Sequence, residues 1–158
     1  MFDHSFKTMP KILQISDLHF GPHYVAEAGE SLQRIAPTLD PDVIVISGDF
    51  SQRAMRRQFD QARAFIDRLP PVPKLLIPGN HDVPLYRIVE RLLKPHGLYR
   101  ELICEDLNPV LSVDGLILVG LDSTSPRRAI SNGRIHRDQL AHCGEVFAGV
   151  APETVRIV

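Results

Sequence analysis

Three short apolar runs each end in a cluster of polar residues, and this pattern limits the folds open to the chain. KILQIS (11–16) runs into Asp17-Leu18-His19, VIVIS (43–47) into Gly48-Asp49, and KLLIP (74–78) into Gly79-Asn80-His81-Asp82. The runs are continuous rather than alternating, which suits strands covered on both faces. Helical patterns lie between them. Residues 27–39 set Leu32, Ile35, Ala36 and Leu39 on one side. Residues 56–69 set Phe59, Ala62, Phe65, Ile66 and Leu69 at a period of 3.6, opposite Arg and Gln. Residues 84–94 open on Pro84, a favoured first helical residue, and carry Leu85, Ile88, Val89, Leu92 and Leu93. The order β-α-β-α-β-α predicts an α/β layered fold.

The second half changes character. PVLSV (109–113), the turn Asp114-Gly115 and LILVGL (116–121) predict a hairpin. A polar loop runs from Asp122 to Gly133, a weaker helix covers 136–148, and TVRIV (154–158) reads as another strand. With 158 residues and 44% hydrophobic content, one domain with a real core is expected over 1–158, with residues 1–10 as a leader.

Charge and cysteine content exclude several classes. Eighteen Lys and Arg against 19 Asp and Glu leave a formal charge of −1, so nucleic acid is not indicated as a partner, nor is an anionic lipid surface. Cys104 and Cys143 lack CxxC spacing, which argues against a disulfide scaffold. No apolar run approaches the ~20 residues of a membrane span. MFDHSFKTMP does not read as a signal peptide, so a cytoplasmic location is expected.

The chemistry sits at the strand ends. In an open α/β sheet, ligands bind outside the carboxyl ends of the strands, where the three polar clusters converge if the strands are parallel neighbours. Carboxylate and imidazole suit Mn, Fe and Zn. Two such ions ~3.5–4 Å apart activate a water and clamp the oxygens of an in-line phosphoryl displacement. The glycines before Asp49 and Asn80 allow sharp turns and close backbone approach.

Asp17-x-His19, Gly48-Asp49 and Gly79-Asn80-His81-Asp82, in that order and each strand-terminal, resemble the calcineurin-like metallophosphoesterase superfamily. The wider contexts, Ser16–Gly21 and Pro78–Pro84, together with Gly120–Ser123 and Gly133–Ile135, are similar to its bacterial branch near the class III cyclic-nucleotide phosphodiesterases. The resemblance implies an α-β-β-α sandwich and a metal-dependent phosphoesterase, most like a phosphodiesterase, acting on a phosphate-ester substrate with two Mn, Fe or Zn ions. It places Asp17 and His19 on the first ion, Asn80 on the second, Asp49 between them, and His81 beside the phosphate as the catalytic acid or charge stabiliser.

The resemblance also sets out what these 158 residues lack. The family completes its site with a lone His after a later strand and a Gly-His-x-His; here none of the 10 glycines is followed by His. The sandwich is therefore expected to be incomplete at the C-terminus. The second ion, with Asn80 as its one ligand beyond the shared Asp49, is expected to bind poorly, and activity is expected to be impaired. Unfilled sheet edges are expected to favour self-association. Gln52 stands where several branches carry an Asp that orients the catalytic His, so it supplies a hydrogen bond but no charge. The alternative is a non-catalytic remnant or partner-binding module with a partial metal site. A nucleotide-binding domain lacks support, since neither GxGxxG nor GxxxxGK[ST] occurs. Asp82 reads equally as a helix cap or a chemical group, His23 and Asp122 as loop residues, and Arg127, Arg128, Arg134 and Arg137 as a phosphate site or a solvated face.

Overall fold

The computed structural model describes residues 9–129 and 132–158; most of the expected leader falls outside the described residues. Strands β1 (Ile12–Ile15), β2 (Val43–Ser47) and β3 (Lys74–Ile77) form one parallel sheet in that order. Helices α1 (Ala26–Leu39) and α2 (Arg56–Ile66) provide the crossovers. Ile12 pairs with Val43, and Ile44 pairs with Lys74. A second sheet, in the order β4 (Val110–Val113), β5 (Leu116–Val119), β6 (Val155–Ile157), pairs β4 and β5 antiparallel and β5 and β6 parallel. Asp114-Gly115 makes the hairpin turn, with Gly115 at a φ of +79° that favours glycine. Helix α5 (Arg137–Ala148) carries the chain from β5 to β6.

Burial explains why residues 43–46 of β2 are all apolar. Ile44 and Ile46 face a core that includes Phe59, Phe65 and Tyr99 from the helical side. Val43 and Val45 face the other way and pack with Leu75, Leu116 and Leu118, between the two sheets. An alternating polar strand could not satisfy both faces.

The structure departs from the sequence expectations in the middle of the chain. Residues 84–87 are not helical, and the helix α3 is confined to Ile88–Leu93. An unforeseen short helix, α4 (Gly97–Leu102), follows. Its Tyr99 is fully buried, edge-on to Phe50 and Phe59. Among the described residues the Tyr99 hydroxyl has no hydrogen-bond partner, and burial pushes its pKa up. Strand β6 is exposed along its length, with Val155 40% and Ile157 36% exposed. Among the described residues no helix is long and apolar enough to cross a membrane.

Candidate metal centre

Parallel pairing continues past the strands and brings the polar clusters together. His19 N donates to Asp49 O at 2.8 Å, Phe20 N to Phe50 O at 3.0 Å, and Gly48 N to Ile77 O at 2.8 Å. The loops after β1, β2 and β3 are therefore in register like the strands below them. The clusters pay for this in conformation: Asp17, His19 and Asp49 all have left-handed backbones, with φ of 56°, 48° and 54°. Such geometry costs a non-glycine residue about 1–2 kcal/mol, and backbone strain of this kind clusters at functional sites.

Glycine is needed at one point of contact. A Cβ on Gly79 would stand 2.1 Å from Asp49 Oδ1 and 2.4 Å from the Asp49 backbone nitrogen. The loop after β3 can approach Asp49 only because that position is bare. In return His81 N donates to Asp49 Oδ1 at 2.9 Å.

The sequence-predicted residues meet here. His19 Nε2 lies 3.6 Å from Asp17 Oδ1 and 3.7 Å from Asp49 Oδ2. These separations are too long for hydrogen bonds. They match the spacing of about 3.4 Å between ligand atoms that share a tetrahedral ion at roughly 2.1 Å. His19, Asp49 and His81 offer ligand atoms within 4.8 Å of one another. The His19 and His81 rings stand edge to face, with centroids 4.8 Å apart. Asn80 lines a cavity of about 350 Å³ together with Asp17 and Asp49. The donor set of carboxylates, imidazole and an amide oxygen thus fits a divalent metal.

Gln52 holds His81. The His81 Nδ1 lies 3.0 Å from the Gln52 carbonyl and 3.1 Å from the Gln52 side-chain nitrogen. A protonated Nδ1 donates to the carbonyl, and an unprotonated one accepts from the amide. Both contacts use Nδ1, which leaves Nε2 to exchange a proton.

Asp82 is neither a helix cap before Pro84 nor a ligand but a tether. Its Oδ1 accepts from Ser51 N at 2.8 Å and Ser51 Oγ at 3.0 Å; its Oδ2 accepts from Phe50 N at 3.1 Å and Gly79 N at 3.0 Å. One carboxylate, 1% exposed, thereby joins the loop after β2 to the loop after β3. Burial pushes its pKa up to about 6 against the opposing pull of the three backbone N–H donors. Half of this role is legible in the sequence: Gly79-x-x-Asp82 has the spacing at which a side chain bonds back to the start of its own turn. The longer-range half depends on the fold.

His23 is exposed beside Tyr24 and borders a groove with Asp17 and His19. Asp122 sits at a turn, its Oδ1 accepting from Thr124 N at 2.8 Å. Its Oδ2 is 3.6 Å from Nε2 of His96, which hydrogen-bonds Thr124 Oγ1 at 2.8 Å. Burial holds the His96 pKa below its ordinary 6.5; Asp122 opposes the shift and Arg100 adds to it. The unfolded chain therefore takes up this proton more readily, so the contribution of neutral His96 to stability is full above pH 6.5. It is lost as pH falls through the lower folded value. Wild-type protein is expected to lose urea resistance between pH 7 and pH 5 more steeply than His96→Gln. Parallel curves for the two proteins would remove His96 from the effect.

A family model for calcineurin-like phosphoesterases matches residues 10–145. The chain belongs to the calcineurin-like phosphoesterase family. It is 32% identical over 142 residues to a probable cyclic nucleotide phosphodiesterase of Synechococcus sp., covering 82% of this chain and 49% of that protein. It is 31% identical over 72 residues to an uncharacterized metallophosphoesterase of Aquifex aeolicus, covering 46% of this chain and 28% of that one. The chain thus spans about half the length, or less, of these curated relatives. A purple acid phosphatase from yellow lupin (Lupinus luteus) seeds shares the fold with a TM-score of 0.64 at 14% identity, over 92% of this chain and 28% of that structure.

Proposed function

We propose that the chain carries part of a metal-dependent phosphodiesterase site. The observation that supports this best is the placing of His19 Nε2 at 3.6 and 3.7 Å from the carboxylates of Asp17 and Asp49, ion-sharing distances in a family of phosphoesterases. Asp17, His19 and Asp49 would hold one divalent ion, Mn, Fe or Zn. Asp49 and Asn80 would hold a second. When bound, such ions polarise the phosphoryl oxygens and supply a nucleophile from water. The chain's own residues do the rest. Asp49 faces His19 with one oxygen and is pinned by His81 N–H with the other, so its carboxylate is fixed before any ion arrives. His81 is turned by Gln52 so that Nε2 is left to give a proton to the leaving oxygen. The relative from Synechococcus sp. points to a cyclic nucleotide or another phosphodiester as substrate.

Ligand supply is uneven. Asn80 is the one ligand offered to the second ion beyond the shared Asp49, so these 158 residues alone are expected to hold one ion well and the second poorly. Turnover should fall far below the roughly 10 s⁻¹ of a typical enzyme. The test is metal analysis of protein reconstituted with Mn, Fe or Zn, followed by hydrolysis of bis-p-nitrophenyl phosphate with and without EDTA. About one tightly held ion and slow, EDTA-sensitive hydrolysis are expected. Absence of any bound metal after reconstitution would sink the proposal, and typical enzyme rates would overturn the expected impairment. Size-exclusion chromatography of the same sample tests self-association through the exposed edge of β6; a monomer argues against it.

A further inference from the structure

A second cavity, of about 680 Å³, adjoins the metal centre. Thr124 lines both cavities, and the chain alternates between them: Ser123 and Gly133 face the metal side, Asp122 and Arg134 the other. The two strips of chain are joined by one backbone bond, Arg134 N to Ser123 O at 2.8 Å. The second cavity is basic. Arg91, Arg127, Arg128 and Arg134 line it against Asp122 and Asp138, a surplus of two positive charges.

The wall is built rather than loose. Asn108 Oδ1 accepts from Asp122 N at 3.0 Å and from Gln139 Nε2 at 2.7 Å, and Gln139 Nε2 also reaches Asp122 O at 2.8 Å. Arg91 fixes the loop opposite, donating from Nε to Pro126 O at 2.6 Å and from Nη2 to Arg128 O at 2.5 Å. Asp122 is already engaged by Thr124 N and His96. The guanidinium groups of Arg127, Arg128 and Arg134 have neither a hydrogen bond nor an ion pair among the described residues. Planar, permanently charged donors in a fixed cavity suit bidentate binding of a phosphate.

We propose that this basic cavity binds a second phosphoryl group of the substrate. The substrate class is then a phosphate ester that carries another phosphate near the scissile one. The cavity is a binding site in its own right, and its link to a substrate rests on the phosphodiesterase reading above. The ester bond would sit at Asp17, Asp49 and Asn80, and the second phosphate across Thr124, against Arg127 and Arg134.

Two measurements separate the binding site from the reading it rests on. The first uses metal-stripped protein and inorganic phosphate, followed by titration calorimetry. Saturable binding is expected, with Kd raised at least about tenfold in Arg127→Ala/Arg134→Ala. These side chains are exposed, so the melting temperature should not change. Arg57→Ala/Arg63→Ala removes the same charge elsewhere and should leave Kd alone; equal weakening by both pairs, or no binding at all, overturns the site. The second uses metal-loaded protein and two esters, thymidine 5′-(p-nitrophenyl phosphate) and the same compound with a 3′-phosphate. The bisphosphate should be preferred about tenfold in kcat/KM, through KM, and the arginine pair should abolish the preference. Equal kcat/KM for the two esters in wild-type protein defeats the substrate assignment. Arginine-dependent phosphate binding without turnover of either ester upholds the anion site and defeats the phosphodiesterase reading.

Discussion

Asp49→Asn is expected to lower affinity for the first ion by at least about a hundredfold and to take hydrolysis below detection, while the fold survives. Loss of groups that merely support a metal ligand costs 10–100-fold, so loss of a shared anionic ligand should cost at least that. The amide keeps the oxygen that accepts from His81 N, so the loops should stay in place. What is lost is the negative charge facing His19 Nε2 at 3.7 Å. Bound metal per chain, hydrolysis rate and melting temperature together decide the matter. A variant that retained its metal would show that Asp17 and His19 suffice and that Asp49 is not the centre of the site.

The second large effect is one of stability. Asp82→Ala should cost about 3–5 kcal/mol in urea unfolding, because Phe50 N, Ser51 N and Gly79 N would lose a buried acceptor at once. Each buried donor left without a partner costs about 1–3 kcal/mol, and a whole domain is stable by only about 5–15 kcal/mol. Asp82→Asn should not rescue it, since an amide NH₂ would face N–H donors on one side of the carboxylate's place. A loss below about 1 kcal/mol for Asp82→Ala would mean that the loops hold each other without the tether.

The two predictions differ in how far the sequence foreshadows them. Asp49 is legible because it follows a β-branched run and a glycine, and strand ends are where such sheets place ligands. The parallel order of β1, β2 and β3 follows from the same alternation of runs. The role of Asp82 is only half legible, because Phe50 and Ser51 are some thirty residues away and reach it only after β2 and β3 pair. Helix α4 is hidden for a different reason. It has six residues, begins at Gly97 soon after Pro95, and owes its place to the burial of Tyr99 rather than to any helical period. The failure of residues 84–87 to join α3 is the converse: Pro84 permits a helical start but does not compel one. The basic cavity is visible in the sequence only as scattered arginines, since Arg91 and Arg134 come to line one cavity through tertiary packing of α3 against Pro126 and Arg128.

The left-handed backbones of Asp17, His19 and Asp49 bear on how such a chain can evolve. Judged by folding alone, glycine would adopt all three backbones with less strain. A lineage relieved of its chemistry could shed that strain at Asp17 and His19 by substitution to glycine. This chain has not done so: Asp17, His19 and Asp49 each still carry a side chain that can ligate a metal ion.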